Sequence, residues 1–177
     1  DSDGHTFVAR YPGELGNSLR ISICTPSTND SAFDAWTYKS SFDAPPTTSD
    51  WVSERDGSFD EVHVAVVDVN GQFSGTKGTV LEAYPYLSVA TDARNVFDGS
   101  TTYVKDVINE RSQYIHMVDF DSNLTNFGNA GTTTTSGTAK VFLGTDVRTS
   151  TTINYAFDSG ANAGTLTNGD YLNAFDL

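Results

Sequence analysis

The sequence predicts an α+β fold, mainly β: sandwich-like antiparallel or mixed sheets flanked by a few short helices. Three observations lead there. Apolar residues alternate with polar or small ones over Leu19–Cys24 and again from Val62 to Val69, the period-two pattern of strands. Helical spacing is clear only between Ser100 and Ser112. Gly, Pro and Ser/Thr clusters interrupt the chain repeatedly, and no solenoid-length period recurs. A chain of 177 residues is long enough to bury a core without staples.

The first element is a constrained loop, Tyr11-Pro12-Gly13-Glu14-Leu15-Gly16-Asn17. Pro12-Gly13 fits the centre of a type II turn, because Pro fixes φ and Gly supplies the positive value at the next position. Gly16 is expected to take a second positive φ, with Tyr11 and Leu15 as anchors. Leu19, Ile21 and Ile23 then form one side of a strand. Pro26 to Asp50 is poor in aliphatics but carries Phe33, Trp36, Tyr38 and Phe42, so it reads as a long excursion pinned by buried rings. Val62, Val64 and Val66 open the strongest strand. Asn70-Gly71 should close it in a two-residue type I′ turn, returning through Gln72-Phe73, a break at Gly75 and Gly78, and Thr79 to Ala83.

Tyr84 to Ala90 follows, with Pro85 excluding a central-strand position. The helix should run from Ser100 to Ser112, capped by Ser100 or Thr101, with Lys105, Asp106 and Glu110 outward. Gln113 to Phe120 reads as a strand buried on both faces. Val141–Leu143 and Ile153–Phe157 are two further short strands, preceded by a flexible Thr/Gly-rich loop at about residues 128–140. We expect one domain over residues 1–165, and over 166–177 the start of a following domain. Leu172 and Phe175 there share a helical face that ends with the chain, and Asp1 stands where a Met would open a reading frame. The expectation is therefore a segment of a longer protein.

Ten Lys and Arg stand against 23 Asp and Glu, a formal charge of −13. Such a surface repels phosphate, which argues against nucleic acid and anionic membranes as partners. One cysteine, Cys24, excludes a disulfide framework and reads as a buried, inert thiol. Of three histidines, His5 sits near the terminus, while His63 and His116 lie in expected strands and could face each other across a sheet. Their ordinary reading is partly buried strand residues with satisfied nitrogens.

Asp119-Phe120-Asp121-Ser122-Asn123 opens like a calcium loop, but Leu124 and Ala130 occupy the positions that need Gly and Glu. Asn123-Leu124-Thr125 fits a glycosylation acceptor without a secretory signal to give it meaning. The glycines spell neither a dinucleotide fingerprint nor a phosphate loop, and no serine-nucleophile elbow occurs. Acid pairs such as Asp60 with Glu61 occur in any acidic protein and carry little weight for glycosidase chemistry. The sequence assigns no catalytic, cofactor or metal residue.

The ordered series of motifs carries more. Tyr11-Pro12-Gly13-Glu14-Leu15-Gly16-Asn17 before an alternating strand resembles a signature of contractile tail sheath proteins of T4-like bacteriophages. Val66-Val67-Asp68 with Gly71, then Val80-Leu81-Glu82 and Tyr86-Leu87-Ser88, is similar to that family's next strand, turn and strand. Asp92-Ala93-Arg94-Asn95, Tyr103–Asn109 and Ser112–Ile115 resemble the following helix and strand, and Gly169–Asp176 the start of the next sheath domain. Residues 121–165 do not share the resemblance.

That resemblance implies a structural role, with Tyr11 to Asn17 as a structural loop and no enzymatic activity or cofactor. Sheath subunits stack as a helical tube around the tail tube and shorten on a signal from the baseplate, driving the tube through the host envelope. It implies a β-sandwich middle domain, location in the virion tail after assembly in the bacterial host cytoplasm, and other sheath subunits, tail tube and baseplate as partners. Residues 1–177 by themselves are expected to be mainly monomeric, because the family's polymerising regions flank this one. The alternative is a carbohydrate- or receptor-binding β-sandwich module of a virion, with Trp36, Trp51, Tyr84 and Tyr86 as stacking rings.

Overall fold

The computed structural model describes residues 7–26, 30–118, 140–141, 152–157 and 160. The strands are β1 (Phe7–Ala9), β2 (Leu19–Cys24), β3 (Gly57–Ser58), β4 (Glu61–Asp68), β5 (Thr79–Ser88), β6 (Ile115–Met117), β7 (Lys140–Val141) and β8 (Ile153–Ala156). The α-helices are α1 (Ser31–Ala35), α2 (Asp50–Ser53) and α3 (Val104–Arg111). The fold is α+β and mostly antiparallel, as the alternation predicts, and its sheets are open.

At the centre is a four-stranded sheet in the order β5-β4-β2-β8. Register follows from the apolar alternation: Ile21 lies opposite Val66 and Tyr155, and Ile23 opposite Val64 and Ile153. One face therefore presents Leu19, Ile21, Ile23, Val62, Val64 and Val66 to the principal core. The β1–β6 ribbon and α3 close that core through Phe7, Ile115, Met117, Val104, Val107 and Ile108. The opposite face carries Cys24, Ala65 and Val67, covered by Trp36 and Phe42 from the aromatic excursion. With both faces covered, seven of the eight β4 residues are buried, Val62, Val64 and Val66 on one face and His63, Ala65 and Val67 on the other.

Three elements differ from the sequence reading, each for a backbone reason. The β4–β5 connection is not a two-residue turn. Asn70 does not take the positive φ a type I′ turn requires, and the chain folds over residues 69–78 with Gly71, Gly75 and Gly78 left-handed. The helix begins at Val104 rather than near Ser100, because residues before it are committed elsewhere. Thr102 donates to Ala93 and accepts from Ser88, Arg94 bridges Thr101, and the Thr101 hydroxyl accepts from the Tyr103 amide. The strand after it is three residues long and one-sided: Ile115 and Met117 are buried while His116 and Val118 are exposed, since it pairs with β1 in an outer ribbon.

Pro85 sits where a proline is tolerated, in the edge strand β5 and at a bulge. Pro85 and Tyr86 together oppose His63, between the Val62–Leu87 and Val64–Tyr84 pairs, and Tyr86 adopts φ 52°. The calcium-like loop, the Asn123 acceptor, His5 and residues 166–177 lie outside the described residues, as does the Thr/Gly-rich loop apart from Lys140.

The β4–β5 connection is organised by one buried carboxylate. Asp68, fully buried, accepts from the Ser18 hydroxyl at 2.5 Å, the Gln72 amide at 3.0 Å, the Phe73 amide at 2.9 Å, and the Ser74 amide and hydroxyl at 2.8 and 2.9 Å. Burial alone would raise its pKa, but the bonds from Ser18, Ser74 and Phe73 outweigh it and hold the carboxyl well below the ordinary range. Because the folded value is depressed, this stabilisation is complete above the unfolded carboxylate value near ~4 and is lost as pH falls toward the folded value. Asp68→Asn keeps the shape but turns one acceptor into a donor facing amides. We expect it to cost about 2–4 kcal/mol in urea unfolding near neutral pH and to flatten the acid limb of the stability profile.

Candidate functional site

The loop at Tyr11–Asn17 is the segment whose residue choice the structure explains most fully. Pro12 is extended (φ −71°, ψ 160°) and Gly13 follows at φ 78°, the pairing a type II turn demands. The chain then winds into a 3₁₀ helix over Gly13–Ser18, not a second turn. Gly16 accordingly does not have positive φ. It is glycine for space: a Cβ there would sit 2.8 Å from the Tyr11 carbonyl oxygen and 3.1 Å from the Ala9 Cβ. Leu15 is half-buried and Glu14 exposed.

Three contacts tie this loop to distant chain. Tyr11 packs edge-on against Phe73 at 5.1 Å and lies 6.0 Å from Tyr114, while Phe73 meets Tyr114 at 5.3 Å and 89°. Asp68 holds the Phe73 amide, so the same carboxylate that shapes the β4–β5 connection also sets this ring trio. Next to it Arg10 reaches the Ile115 carbonyl through Nε and the Asn109 carbonyl near the end of α3 through a terminal nitrogen, each at 2.8 Å.

The third contact uses Asn17. Its Nδ2 donates to the Gly160 carbonyl at 2.8 Å and its Oδ1 accepts from the Gly160 amide at 2.9 Å, so one side chain pairs with a backbone residue as a strand neighbour would. Gly160 has no room for a side chain, since a Cβ would lie 2.2 Å from the Gly13 carbonyl oxygen. Asn109 repeats the device on β6, bonding the Met117 amide at 2.7 Å and carbonyl at 3.0 Å. Sequence reading did not reach Asn17–Gly160 or Asn109–Met117, because neither spacing marks a pair; only an Asp closing a valine run before a Gly/Ser-rich segment hinted at Asp68.

The other polar candidates are structural supports. Asp60, fully buried, accepts from the Ser49 amide at 2.8 Å and hydroxyl at 2.7 Å and from the Ser88 hydroxyl. Ser49 in turn caps α2 through the Val52 amide at 3.3 Å. Glu61 binds the Thr47 amide at 3.0 Å, with its pKa raised by burial. Glu82 accepts from the Ser112 hydroxyl at 2.7 Å and the Gln113 amide at 2.8 Å, tying β5 to the end of α3. Cys24 is buried, which pushes its thiol up to about 12 and leaves it protonated and unreactive.

His63 and His116 are not brought together: one lies in the central sheet, the other in the outer ribbon with its side chain exposed. His63 is fully buried. Its Nε2 faces the Ala44 carbonyl at 2.7 Å and its Nδ1 accepts the Tyr86 amide at 3.0 Å, which assigns the neutral Nε2–H tautomer. Phe42 stacks on the ring at 4.6 Å and 6°, and Tyr86 meets it edge-on at 4.7 Å. Both nitrogens are thus occupied in building the core, and no group of His, Cys, Asp and Glu among the described residues is arranged to hold a metal ion.

The four rings of the carbohydrate-binding alternative are dispersed. Trp36 is 4% exposed on one side of the sheet, and Trp51 packs on the principal core under the Arg55 guanidinium, 3.4 Å from its ring centroid. Tyr84 joins that core while Tyr86 turns to His63, so no shared stacking platform results.

No family model matches the chain. Over 75 residues, 42% of the chain, it is 31% identical to the tail sheath protein of Salmonella phage ViI. The chain is similar to a phage tail sheath protein. The similar stretch is 10% of that relative, so the chain spans about a tenth of its length. The likeness is distant and partial, and it points to a sheath-related structural role.

Two outcomes follow. Gly160→Ala should break the clip to Asn17 and lower stability by about 1–3 kcal/mol in chemical denaturation, more than Asn17→Ala, which removes the bonds without a clash. Burial holds the His63 pKa down, so its neutral form stabilises the fold above the ordinary value near ~6.5 and that contribution falls away as pH drops below it. Nitrogen NMR should find His63 neutral and Nε2-protonated at pH values just below that ordinary value.

Proposed function

We propose that this chain is a structural segment of a contractile phage tail sheath subunit, which polymerises around the tail tube and shortens to drive that tube through the host envelope. The observation that carries the reading is the similarity to the ViI tail sheath protein together with the ordered motif series from Tyr11 to Ile115. The residues of that series do structural work: Tyr11, Gly16, Asn17, Asp68, Glu82 and Ser88 each fix one chain segment to another. A body clamped in this way suits a subunit that must move as a unit while its contacts with neighbours rearrange. Its partners are other sheath subunits, the tail tube and the baseplate, its place is the virion tail, and it performs no catalysis.

Within such a subunit we assign residues 1–165 to one domain and Tyr11–Asn17 to its entry clamp. The test is negative-stain microscopy of the protein expressed from its complete reading frame, with tail tube supplied as template. Striated tubes of uniform width are the expected result. Dispersed particles under all template conditions would overturn the sheath reading.

A further inference from the structure

The aromatic segment over residues 31–46 is fastened to the central sheet by side chains. Its backbone amides make short-range turns, Trp36 donating to Phe33, Lys39 to Trp36, Ser41 to Tyr38 and Phe42 to Lys39. Among the described residues no part of it pairs as a strand with β2 or β4. Ring packing holds it down, with Trp36 and Phe42 over Cys24, Ala65 and Val67. A few bonds assist. The Trp36 indole donates to the Ser22 hydroxyl at 2.8 Å, and the Ala44 carbonyl meets His63 Nε2 at 2.7 Å and the Tyr86 hydroxyl at 3.5 Å.

His63 stands at the centre of this arrangement. It belongs to β4, yet it also ties the segment to β5, because its Nδ1 accepts the Tyr86 amide at 3.0 Å. That bond supports a strained residue, since Tyr86 has φ 52° and Pro85 beside it has no amide. The ring itself is wedged among Phe33, Trp36, Phe42 and Tyr86, at 6.0, 6.4, 4.6 and 4.7 Å between centroids.

A second proton has only Nδ1 to occupy, because Nε2–H already donates to Ala44. There it would face the Tyr86 N–H, donor against donor, and would put a charge in a buried aromatic seat. The π face of Phe42 offsets part of the lost solvation, but nothing replaces the acceptor that the Tyr86 amide loses.

The surrounding groups do not answer that charge. On β2, Cys24 opposite the ring is a protonated thiol and Arg20 is an exposed cation. On β5, Tyr86 meets the ring edge-on, while Tyr84 and Glu82 belong to the principal-core side. On the segment Asp30, Asp34 and Asp43 are exposed, Lys39 pairs with Asp34 at 3.8 Å, and Tyr38 packs on Trp36. Glu61, two places along β4, is bonded to Thr47, and among the described residues His63 forms no ion pair. Burial raises the Glu61 value, so its protonation favours the folded form and runs against release.

We propose that His63 is an acid-released latch: on taking a second proton its ring leaves the seat, frees Ala44 and Tyr86, and lets residues 31–46 lift from β2 and β4. Those two strands stay paired, because their backbone ladder, the principal core and the Asp68 clamp at the other end of β4 do not involve the ring. Opening uncovers Trp36, Phe42 and Cys24, an apolar face closed at neutral pH. Since burial places the folded His63 value below the ordinary one, the latch is shut above ~6.5 and loosens as pH falls toward the folded value.

The test labels Cys24, the one cysteine in the chain, with dithiodipyridine, which also reacts in acid. Each rate is divided by that of the urea-unfolded chain at the same pH. The ratio should rise by up to about tenfold for each pH unit below ~6.5 until the folded value is reached. His63→Gln, which keeps a neutral hydrogen-bonding side chain, should hold the ratio constant over that interval. Hydrogen exchange read by mass spectrometry needs no variant. Between about pH 7 and about pH 5.5, peptides from residues 31–46 and 84–88 should lose protection by about tenfold, and those from 19–24 and 62–67 should keep it. A flat ratio in the parent, an equal rise in His63→Gln, or loss of protection in β2 and β4 together with the segment would overturn the latch.

Discussion

The Asp68 carboxylate is the interaction on which most of this structure depends. It lies at the end of the most buried strand, and its partners come from the segment before β2 and from the loop that leads to β5. Ser18 on one side and residues 72–74 on the other are thus fixed to the same two oxygens. A charge this deeply buried is tolerated only with nearly every lone pair satisfied, and five donors meet that condition. Through Phe73 the constraint reaches Tyr11 and Tyr114, and so the entry loop and the approach to the outer ribbon.

Side-chain amides supply the remaining long-range ties. Asn17 and Asn109 each present a donor and an acceptor to one backbone residue, a compact substitute for strand pairing. Ion pairs contribute little by comparison. Those among the described residues, Lys39 with Asp34 at 3.8 Å and Arg55 with Glu54 at 3.6 Å, lie on the surface, where such pairs add little. The fold of this acidic chain is held by neutral and charge-assisted hydrogen bonds from buried carboxylates to amides and hydroxyls.

Period-two alternation was enough to place β2 and β4 and the apolar face of each, because burial leaves a direct imprint on residue type. By contrast β5 read as two pieces, Thr79 to Ala83 and Tyr84 to Ala90, that the structure joins through the bulge at Pro85 and Tyr86. Trp36 and Phe42 were legible for the same reason: rings in a polar segment have to be buried somewhere. The β4–β5 connection was not, since Asn70-Gly71 favours a tight turn locally while Asp68 draws the amides of residues 72–74 into a wider loop. The start of α3 was misplaced because Ser100 and Thr101 are capable caps that are used elsewhere, the Ser100 hydroxyl on Asp98 and Thr101 in a bridge to Arg94. In the entry loop Pro12-Gly13 could be read from backbone chemistry, but Gly16 answers to the position of Tyr11 in space, which no local pattern encodes.

The bulge at Pro85 and Tyr86 has a further consequence for how this protein can meet another chain. Pro85 has no N–H to offer, and the Tyr86 amide is turned inward onto His63 instead of outward. The β5 margin of the central sheet is thus interrupted midway, and an extended peptide laid along it would find neither a continuous row of donors nor a flat course. Lateral growth of the sheet is foreclosed on that side. On that margin, contact with another chain falls to side chains and loop tips, which can be exchanged for others without unzipping a strand.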